Sequence, residues 1–246
     1  MKIVHLSDLH ITKDGVEIWG TNTLSHFQQA IDVISQIDDI DAIIVTGDLS
    51  NDGSNWSYTY IHNCLKKLGV PVFCCPGNHD NLENMQFVNS EFFHISDYHI
   101  NIDGYDLFVM NSTISGMSRG LLCEDSMSWL DEKLSNSCNP AIIAFHHPAV
   151  DPGGWLNRKL LDNKEEFVKL VSRYSHVKLV LYGHIHYYIQ QLINDIIFCA
   201  APATGFAFDK ELPKFQIAKC QEGFSVITIS RDNEINIEKI QICFDV

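Results

Sequence analysis

The sequence has no apolar run long enough to span a membrane, and positive charge is scarce. No stretch approaches the roughly 18 consecutive apolar residues of a membrane helix, and Ser7 and Asp8 interrupt the first segment too early for a signal-peptide core. Lys and Arg number 17 against 31 Asp and Glu, giving a formal net charge of −14. This balance disfavours binding to nucleic acid polymers or anionic membranes. We therefore expect a complete, cytoplasmic protein.

Paired-cysteine motifs and flexible linkers are also missing. The 8 cysteines include no C-x-x-C pair, and several lie in apolar runs such as Val72–Cys75. This distribution is typical of reduced, buried thiols and disfavours a disulfide framework or a zinc ribbon. Because no internal repeat or Gly/Ser-rich segment divides the 246 residues, we predict a single domain over residues 1–246.

Up to Gln190, short runs rich in β-branched residues alternate with longer amphipathic segments. Strands are predicted at Lys2–Ser7, Ala42–Val45, Val72–Cys75, Leu107–Asn111, Ala141–His146 and Leu179–Tyr182. Helices are predicted near Thr21–Ile37, Ser54–Leu68, Ser126–Ser137 and Asn157–Tyr174. Such alternation indicates an α/β architecture with buried strands.

The pattern changes after Gln190. Strand-like runs occur at Ile196–Ala200, Phe224–Ile229 and Ile235–Ile242 without long helices between them. A second, more antiparallel sheet packed on the first would explain these runs. The predicted fold class is therefore α/β, with two packed mixed β-sheets flanked by helices.

Side chains that can bind metals follow five of the predicted strands, at the point where each strand ends. They are Asp8 and His10, Asp48, Asn78 with His79 and Asp80, His146 and His147, and His184 with His186. Because ligands bind beyond the carboxyl ends of the strands in open α/β sheets, we expect these side chains to converge. A convergent set of Asp, His and Asn residues indicates a metal site.

The spacing within these segments indicates which side chains act together. Asp8 and His10 are two residues apart, as are His184 and His186. In an extended backbone, residues two apart project from the same face, so each pair can serve one metal cluster. The adjacent residues Asn78 and His79 should instead diverge, so that one can bind metal while the other faces a substrate.

The same segments form a series of motifs in a fixed order along the chain. They are Asp8-x-His10, Gly47-Asp48, Gly77-Asn78-His79-Asp80, His146-His147-Pro148 and Gly183-His184-x-His186. This series resembles the motifs of the calcineurin-like metallophosphoesterases. Further stretches resemble the class III cyclic nucleotide phosphodiesterases of that superfamily, namely Thr46–Gly53, Ser126–Leu130 and Gly153–Leu156. The resemblance implies a metallophosphoesterase-like β-sandwich core.

The resemblance also implies roles for individual residues. One metal ion would be bound by Asp8, His10, Asp48 and His186, and the other by Asp48, Asn78, His146 and His184. Asp48 would bridge the two ions. His79 is implied as the catalytic residue, which stabilises the phosphoryl oxygens or protonates the leaving alkoxide. Asp80 and His147 would support the ligands without binding metal themselves.

A centre of this kind suits the hydrolysis of a phosphate ester. Two cations roughly 3.5–4 Å apart can share a bridging hydroxide and stabilise charge on the attacking and leaving oxygens. Mixed nitrogen and oxygen ligands suit two divalent or trivalent transition metals, Mn, Fe, Zn or Co, better than calcium. Against Asp8, Asp48 and hydroxide, two divalent ions leave about one net positive charge, which matches a phosphodiester monoanion.

The sequence therefore predicts a metal-dependent phosphoric ester hydrolase, a phosphodiesterase whose leading candidate substrate is a 3′,5′-cyclic nucleotide. A glycerophosphodiester, nucleotide pyrophosphate, lipid-linked sugar phosphate or phosphomonoester stays open, because Asn111 and the segment Gln221–Ser225 depart from the cyclic nucleotide subgroup. A catalytically silent interaction scaffold is the third hypothesis, against which the intact ligands and His79 argue. The expected partner is a small-molecule phosphate ester, with neither nucleic acid nor membrane, and a homodimer stays open.

Three aromatic residues lie in the predicted loops that flank the ligands. They are Trp155, Phe206 and Phe208. From the sequence they can either line a substrate pocket or pack beneath the loops.

Overall fold

The strands in the described part of the chain form two six-stranded sheets and a short two-stranded sheet. The computed structural model describes residues 1–90, 93–95, 97–156, 159–211 and 215–242. In spatial order, the first sheet contains β14 (Ile235–Gln241), β13 (Gly223–Ile229), β1 (Lys2–Leu6), β2 (Ala42–Thr46), β3 (Val72–Cys75) and β4 (Phe93–Ile95). The second contains β5 (Tyr98–Ile102), β6 (Tyr105–Val109), β7 (Ala141–Ala144), β8 (Val177–Tyr182), β10 (Ile196–Ala200) and β9 (Ile189–Ile193). The short sheet pairs β11 (Ala207–Phe208) with β12 (Ile217–Ala218).

Both large sheets are mixed, which confirms the predicted fold class. Strands β1 to β4 run parallel, as do β6, β7, β8 and β10, and antiparallel strands lie at the other edges. The prediction that the late strands form a sheet of their own was wrong. β13 pairs antiparallel with β1, and β10 pairs parallel with β8. Each late strand thus covers an edge whose backbone groups would otherwise be unpaired.

The two large sheets pack against each other through side chains that alternate along each strand. Residues of both sheets share one buried cluster, which includes Ile3, Ile44, Phe73, Leu107 and Leu179. Their strand neighbours, such as Val4 and Ile143, belong to two further buried clusters. Because successive side chains of a strand face opposite sides of the sheet, these neighbours lie on the outer faces.

Helices cover both outer faces. In the described residues they are α1 (Thr23–Ile34), α2 (Asn55–Lys66), α3 (Leu82–Gln86), α4 (Glu124–Ser135) and α5 (Lys164–Val171), with a 3-10 turn at Lys13–Gly15. Phe27 of α1 and Ile61 of α2 share a buried cluster with the first sheet, whereas Leu130 of α4 and Phe167 of α5 share one with the second. No helix among the described residues is long and apolar enough to cross a membrane.

The predicted helix at Asn157–Tyr174 is shorter in the structure, and its predicted start, residues 157 and 158, lies outside the described residues. The Leu161 N–H donates to the carbonyl oxygen of Pro148 at 3.0 Å, and Leu161 also forms a β-bridge with Gly120. These backbone groups are therefore committed to other partners, and α5 begins only after this bridge.

The cysteines follow the prediction of buried thiols only in part. Among those described, Cys64, Cys74, Cys75 and Cys199 are buried and free, and Cys123 and Cys138 are exposed. Cys123 has a local reason to lie at the surface, because it precedes α4 and its sulfur accepts the N–H of Ser126 at 3.5 Å. Cys243 lies outside the described residues.

Asp52 holds together the loop between β2 and α2. Its carboxylate accepts the N–H groups of Lys13 at 2.7 Å and Ser54 at 3.0 Å, and the hydroxyls of Ser50 and Ser57, each at 2.9 Å. Burial raises the pKa of this carboxyl group, but the donors outweigh burial and lower the pKa from 3.8 to about 2. Because the folded-state pKa is depressed, the stabilisation is present above 3.8 and is lost as the pH falls through about 2.

We expect Asp52→Asn to lower the melting temperature by about 2–4 °C at neutral pH, because a neutral amide accepts these hydrogen bonds less strongly. The difference from the wild type should shrink on acidification, as the wild-type carboxyl group becomes protonated. Differential scanning fluorimetry from neutral pH down to about 2 measures both effects. The exposed residue Asp232 provides the control, since Asp232→Asn should leave the melting temperature unchanged. A difference that does not depend on pH would contradict the assigned cause.

Candidate metal centre

The residues predicted at the strand ends lie together where the edges of the two sheets meet. The first sheet supplies the segments after β1, β2 and β3, and the second supplies those after β7 and β8. Within each sheet these strands are parallel, so their carboxyl ends lie at one edge. The His184 N–H donates to both carboxylate oxygens of Asp8, at 3.1 and 3.0 Å, and so links the two edges. The structure thus brings all five segments together.

The backbone is left-handed at the two pairs Asp8/His10 and His184/His186, where an extended backbone was predicted, and it is left-handed at Asp48 as well. The φ angles are +54° at Asp8, +48° at His10, +50° at Asp48, +72° at His184 and +58° at His186. These residues lie in the loops that follow the strands, two to four residues after each strand ends. Non-glycine residues avoid this conformation, at about 1–3 kcal/mol each, and such strain clusters at functional sites.

Asp8, His10, Asp48 and His186 form the first ligand cluster. Their ligand atoms lie within 4.8 Å of one another, and all four residues are buried. His186 Nε2 lies 3.3 Å from Asp8 Oδ1, and His10 Nε2 lies 3.5 Å from Asp48 Oδ2. These are the four residues that the resemblance assigned to one metal ion.

Each histidine of the first cluster is oriented by a hydrogen bond to its other ring nitrogen. His10 Nδ1 lies 3.1 Å from Asn51 Oδ1, and His186 Nδ1 lies 2.8 Å from the main-chain oxygen of Phe206. With the ring proton on Nδ1 in both histidines, two unprotonated Nε2 atoms face each other at 3.1 Å. Two lone pairs at this distance repel, whereas a cation between them is bound by both, so the arrangement fits a metal ion.

His146, His147 and His184 form the second ligand cluster, with ligand atoms again within 4.8 Å of one another. His146 Nδ1 lies 2.7 Å from the oxygen of Thr46, and its Nε2 lies 3.2 Å from His184 Nδ1. His147 Nδ1 lies 2.9 Å from Ser112 Oγ. Among the described residues, nothing pairs with the buried Nε2 atoms of His147 and His184. Buried nitrogens without a partner are rare, so this cluster also fits a metal ion.

Asp48 joins the two clusters through a single atom. Its Oδ2 lies 3.5 Å from His10 Nε2 and 3.4 Å from His146 Nε2. Burial raises the pKa of Asp48, but His146 and the neighbouring histidines outweigh burial and hold the pKa well below its usual value. Burial lowers the pKa of His146, whereas the carboxylates of Asp48 and Asp8 raise it to about 9. Asp48 is therefore an anion between two groups of nitrogen ligands.

Asn78 and His79 lie in a turn after β3 and not on an extended chain, and both line the same cavity. Asn78 Oδ1 is buried and has no hydrogen-bond partner among the described residues. The His79 side chain is exposed, and its ring meets that of His10 edge to face at 4.8 Å between centroids. The His79 N–H donates to Asp48 Oδ1 at 2.8 Å.

Asp80 contacts the backbone of two site loops. Its carboxylate accepts the N–H groups of Leu49 at 3.1 Å, Ser50 at 2.9 Å and Gly77 at 2.9 Å. Burial and the charge of Asp48 raise the pKa of Asp80 to about 6, against the opposing effect of these donors. Asp80 thereby ties the loop that carries Asp48 to the loop after β3.

Two glycines allow the site segments to approach each other. A Cβ atom at Gly183 would overlap Ser7 Oγ and lie 2.7 Å from Asp8 Oδ2. A Cβ atom at Gly77 would overlap the main-chain nitrogen and the carboxylate of Asp48. Neither position can carry a side chain unless a carboxylate of the site moves.

A sequence profile of the family described as calcineurin-like phosphoesterase matches residues 1–188. This range contains every residue of both ligand clusters. The chain belongs to the calcineurin-like phosphoesterase family. As predicted, it is a metal-dependent phosphoric ester hydrolase.

Curated relatives match the phosphoesterase over most of its length. The chain is 29% identical to a 3′,5′-cyclic adenosine monophosphate phosphodiesterase of Haemophilus influenzae, with 97% of this chain and 89% of the relative covered. It is 32% identical to a probable cyclic nucleotide phosphodiesterase of Coxiella burnetii, with 85% of this chain and 86% of the relative covered. Among solved structures, a dimetal phosphatase from Danio rerio matches with a TM-score of 0.69 and 12% identity, over 92% of this chain and 91% of that one. At that identity the last match shows the fold alone.

A cavity of about 210 Å³ in the phosphoesterase opens onto both ligand clusters. Its polar lining comprises His10, Asp48, Asn51, Asn78, His79, Ser118, Lys159, His184 and His186. Lys159 is exposed and brings a positive charge to this lining. The cavity therefore offers an anionic ligand one cationic side chain beside the ligand clusters.

An aromatic wall and Leu156 form the rest of the cavity in the phosphoesterase. The wall consists of Trp19, Trp155, Phe206, Phe208 and Phe215. From the sequence, the flanking aromatic residues could either line a pocket or pack beneath the loops. Phe206 and Phe208 do both, because they line the cavity and are buried, at 1% and 7% exposure. Trp19 and Phe215 were not predicted, since neither lies next to a ligand motif.

The residues that orient the ligand histidines were not predicted from the sequence. Asn51 lies in the stretch that resembles cyclic nucleotide phosphodiesterases, but nothing in the sequence shows that its oxygen faces His10. The partners of His146 and His186 are main-chain oxygens, which any residue supplies. Such contacts carry no sequence signal.

Proposed function

We propose that this phosphoesterase binds two transition-metal ions and hydrolyses a small phosphodiester, a 3′,5′-cyclic nucleotide. The observation that carries the proposal is the position of Asp48 Oδ2, at 3.5 and 3.4 Å from one nitrogen of each ligand cluster. In this proposal the first ion is held by Asp8, His10, Asp48 and His186, and the second by Asp48, Asn78, His146 and His184. The metals belong to the group Mn, Fe, Zn and Co, which suits nitrogen and oxygen ligands.

The protonation states of His10 and His184 support this assignment, whereas at His146, whose pKa the carboxylates raise to about 9, a metal ion would have to displace a proton. A histidine binds metal through an unprotonated nitrogen. Burial lowers the pKa of His10 to about 3 and holds the pKa of His184 well below its ordinary value. Asn78 Oδ1, which has no partner among the described residues, supplies a further neutral ligand that is buried beside the cavity. His146 is assigned as a ligand because it contacts Asp48, while His147 is held by Ser112 and supports the set.

The metals, when bound, supply Lewis acids for the phosphate and lower the pKa of a water that acts as nucleophile. His79 faces the cavity and, through its ring nitrogens, donates to a phosphoryl oxygen or gives a proton to the leaving alkoxide. Its backbone N–H meanwhile holds Asp48 Oδ1 and so positions the turn that bears His79. Lys159 orients the anionic substrate at the mouth of the cavity.

Two arguments favour a cyclic nucleotide over the other phosphate esters. The relatives from Haemophilus influenzae and Coxiella burnetii are named as phosphodiesterases of cyclic adenosine monophosphate and, as probable, of cyclic nucleotides. A centre with about one net positive charge also matches a diester monoanion better than a monoester dianion, which would bind tightly as a product.

We expect metal-reconstituted protein to hydrolyse bis(p-nitrophenyl) phosphate with at least about tenfold higher kcat/KM than p-nitrophenyl phosphate. Cyclic AMP and cyclic GMP should then be assayed directly by chromatography of the nucleotide product. A preference for the monoester would overturn the diester assignment. Diester hydrolysis with inert cyclic nucleotides would keep the chemistry and move the substrate to a glycerophosphodiester or a nucleotide pyrophosphate.

A further inference from the structure

We propose that Trp19 is a specificity-determining residue that stacks on the planar base of a nucleoside phosphate bound at the ligand clusters. This inference rests on the proposed function, because it names the part of the substrate beside the reacting phosphate. Three features of the structure carry it: the turn that presents Trp19, the exposure of its indole ring, and the aromatic wall of the cavity.

Trp19 occupies the tip of a tight turn between Ile18 and Thr21. The N–H of each of these two residues donates to the carbonyl oxygen of the other at 2.9 Å, which closes a two-residue loop. Both loop residues are left-handed, with φ of +50° at Trp19 and +77° at Gly20. Asn, Asp and Gly are the residues that favour such a loop, and a bulky side chain there is strained. A tryptophan held in this conformation points to a role for its ring.

The indole ring of Trp19 is largely exposed. The side chain is 60% exposed, although it contacts Phe206 and Phe215 with ring centroids 5.1 and 4.5 Å apart. These contacts are edge to face, with interplanar angles of 80° and 63°, and the contact with Phe208 is tilted at 47°. Among the described residues, no ring therefore stacks in parallel on Trp19. A planar ligand group can take that place.

A continuous series of ring contacts in the aromatic wall links Trp19 to the ligand clusters. The Phe206 ring lies 4.5 Å from that of His186, and the Phe208 ring stacks on His186 at 4.2 Å. Only the rings of Phe206 and Phe208 therefore separate a planar group bound against Trp19 from a phosphate bound at His186. Aliphatic diesters offer no flat face to such a wall, whereas every nucleobase does.

Trp155 adds a polar position in the same wall. Its Nε1 atom is buried and has no partner among the described residues, although buried indole N–H groups ordinarily donate to an acceptor. The Trp155 ring contacts Phe208 and Phe215, with centroids 5.2 and 5.9 Å apart. A base offers ring nitrogens or carbonyl oxygens as acceptors for this N–H.

Binding of the product 5′-AMP and of a base-free analogue separates base recognition from hydrolysis. Isothermal titration calorimetry on metal-loaded protein compares 5′-AMP with ribose 5-phosphate, which carries the same phosphate and sugar without the base. We expect the wild type to bind 5′-AMP at least about tenfold more tightly. Trp19→Ala should remove most of that difference and leave ribose 5-phosphate binding unchanged. Trp19→Phe should retain part of it, because a smaller ring still stacks.

The control is Trp56→Ala, since Trp56 is 37% exposed on α2 and stacks on Tyr60 away from the cavity. It should change neither affinity. Equal affinities of the wild type for 5′-AMP and ribose 5-phosphate would overturn the inference, as would an unchanged difference in Trp19→Ala. The proposed function fails separately, by absence of diester hydrolysis in the same metal-loaded protein. Base-dependent binding without hydrolysis would support Trp19 and refute the activity.

Discussion

The Asp48→Asn protein is expected to retain fewer than two metal ions per chain and to lose at least about 10³-fold in kcat/KM for a phosphodiester. One oxygen of Asp48 lies within 3.5 Å of a nitrogen from each ligand cluster, so a single substitution affects both. Asparagine preserves the volume and can still accept the His79 N–H. It replaces the shared anionic oxygen with a neutral oxygen and an NH₂ group, which cannot bind a cation.

Elemental analysis after metal loading and desalting measures the metal content, and hydrolysis of bis(p-nitrophenyl) phosphate measures the activity. Chelation of the wild type should abolish hydrolysis, and readdition of Mn²⁺ should restore it. The matched control is Asp106→Asn, because Asp106 is equally buried, at 3% exposure, and accepts hydrogen bonds from Asn101 and Ser137 far from the ligands. It should keep both metals. Full activity in metal-free wild-type protein would refute the proposed centre.

The second large effect concerns the adjacent residues His79 and Asn78, whose substitutions should impair different steps, catalysis and metal binding respectively. His79→Ala should lower kcat by about 10²-fold and leave the metal content near that of the wild type. The reason is that His79 contacts Asp48 through its backbone N–H, which alanine retains, while its ring faces the cavity. Asn78→Ala should instead weaken the binding of one metal ion by about tenfold or more, because it removes a buried oxygen that has no other partner among the described residues.

Metal titrations followed by elemental analysis, together with kcat at saturating metal, separate these outcomes. His62→Ala serves as the control for loss of an imidazole, since His62 lies on α2 and its ring contacts Phe93. It should change neither quantity. If His79→Ala empties the site while Asn78→Ala does not, the two roles are reversed.

The position of the site was predictable because it depends on strand order and strand ends. Buried strands are short apolar runs, and the residue at which each run stops is visible in the sequence. Asp8, Asp48 and His184 each follow such a stop, and parallel strands bring their carboxyl ends to one edge. The predicted fold class followed from the same alternation of strands and helices.

The backbone conformation at these residues was not predictable. The extended geometry assumed for Asp8 and His10 is replaced by left-handed residues, and Asn78 with His79 lies in a turn. A residue adopts a strained conformation only when its surroundings impose it. Those surroundings include the contact of the His184 N–H with Asp8, which joins residues 176 positions apart.

The sequence by itself determined which side chains are available for a metal centre, and in which order the strands present them. The tertiary structure decided three things: that β13 and β10 complete the two sheets, that Asp48 Oδ2 lies between two ligand clusters, and that Trp19 reaches the same cavity. Local patterns report burial and turns, because these depend on neighbouring residues in the chain. Distances between segments depend on how two sheets pack, and only the folded chain sets them.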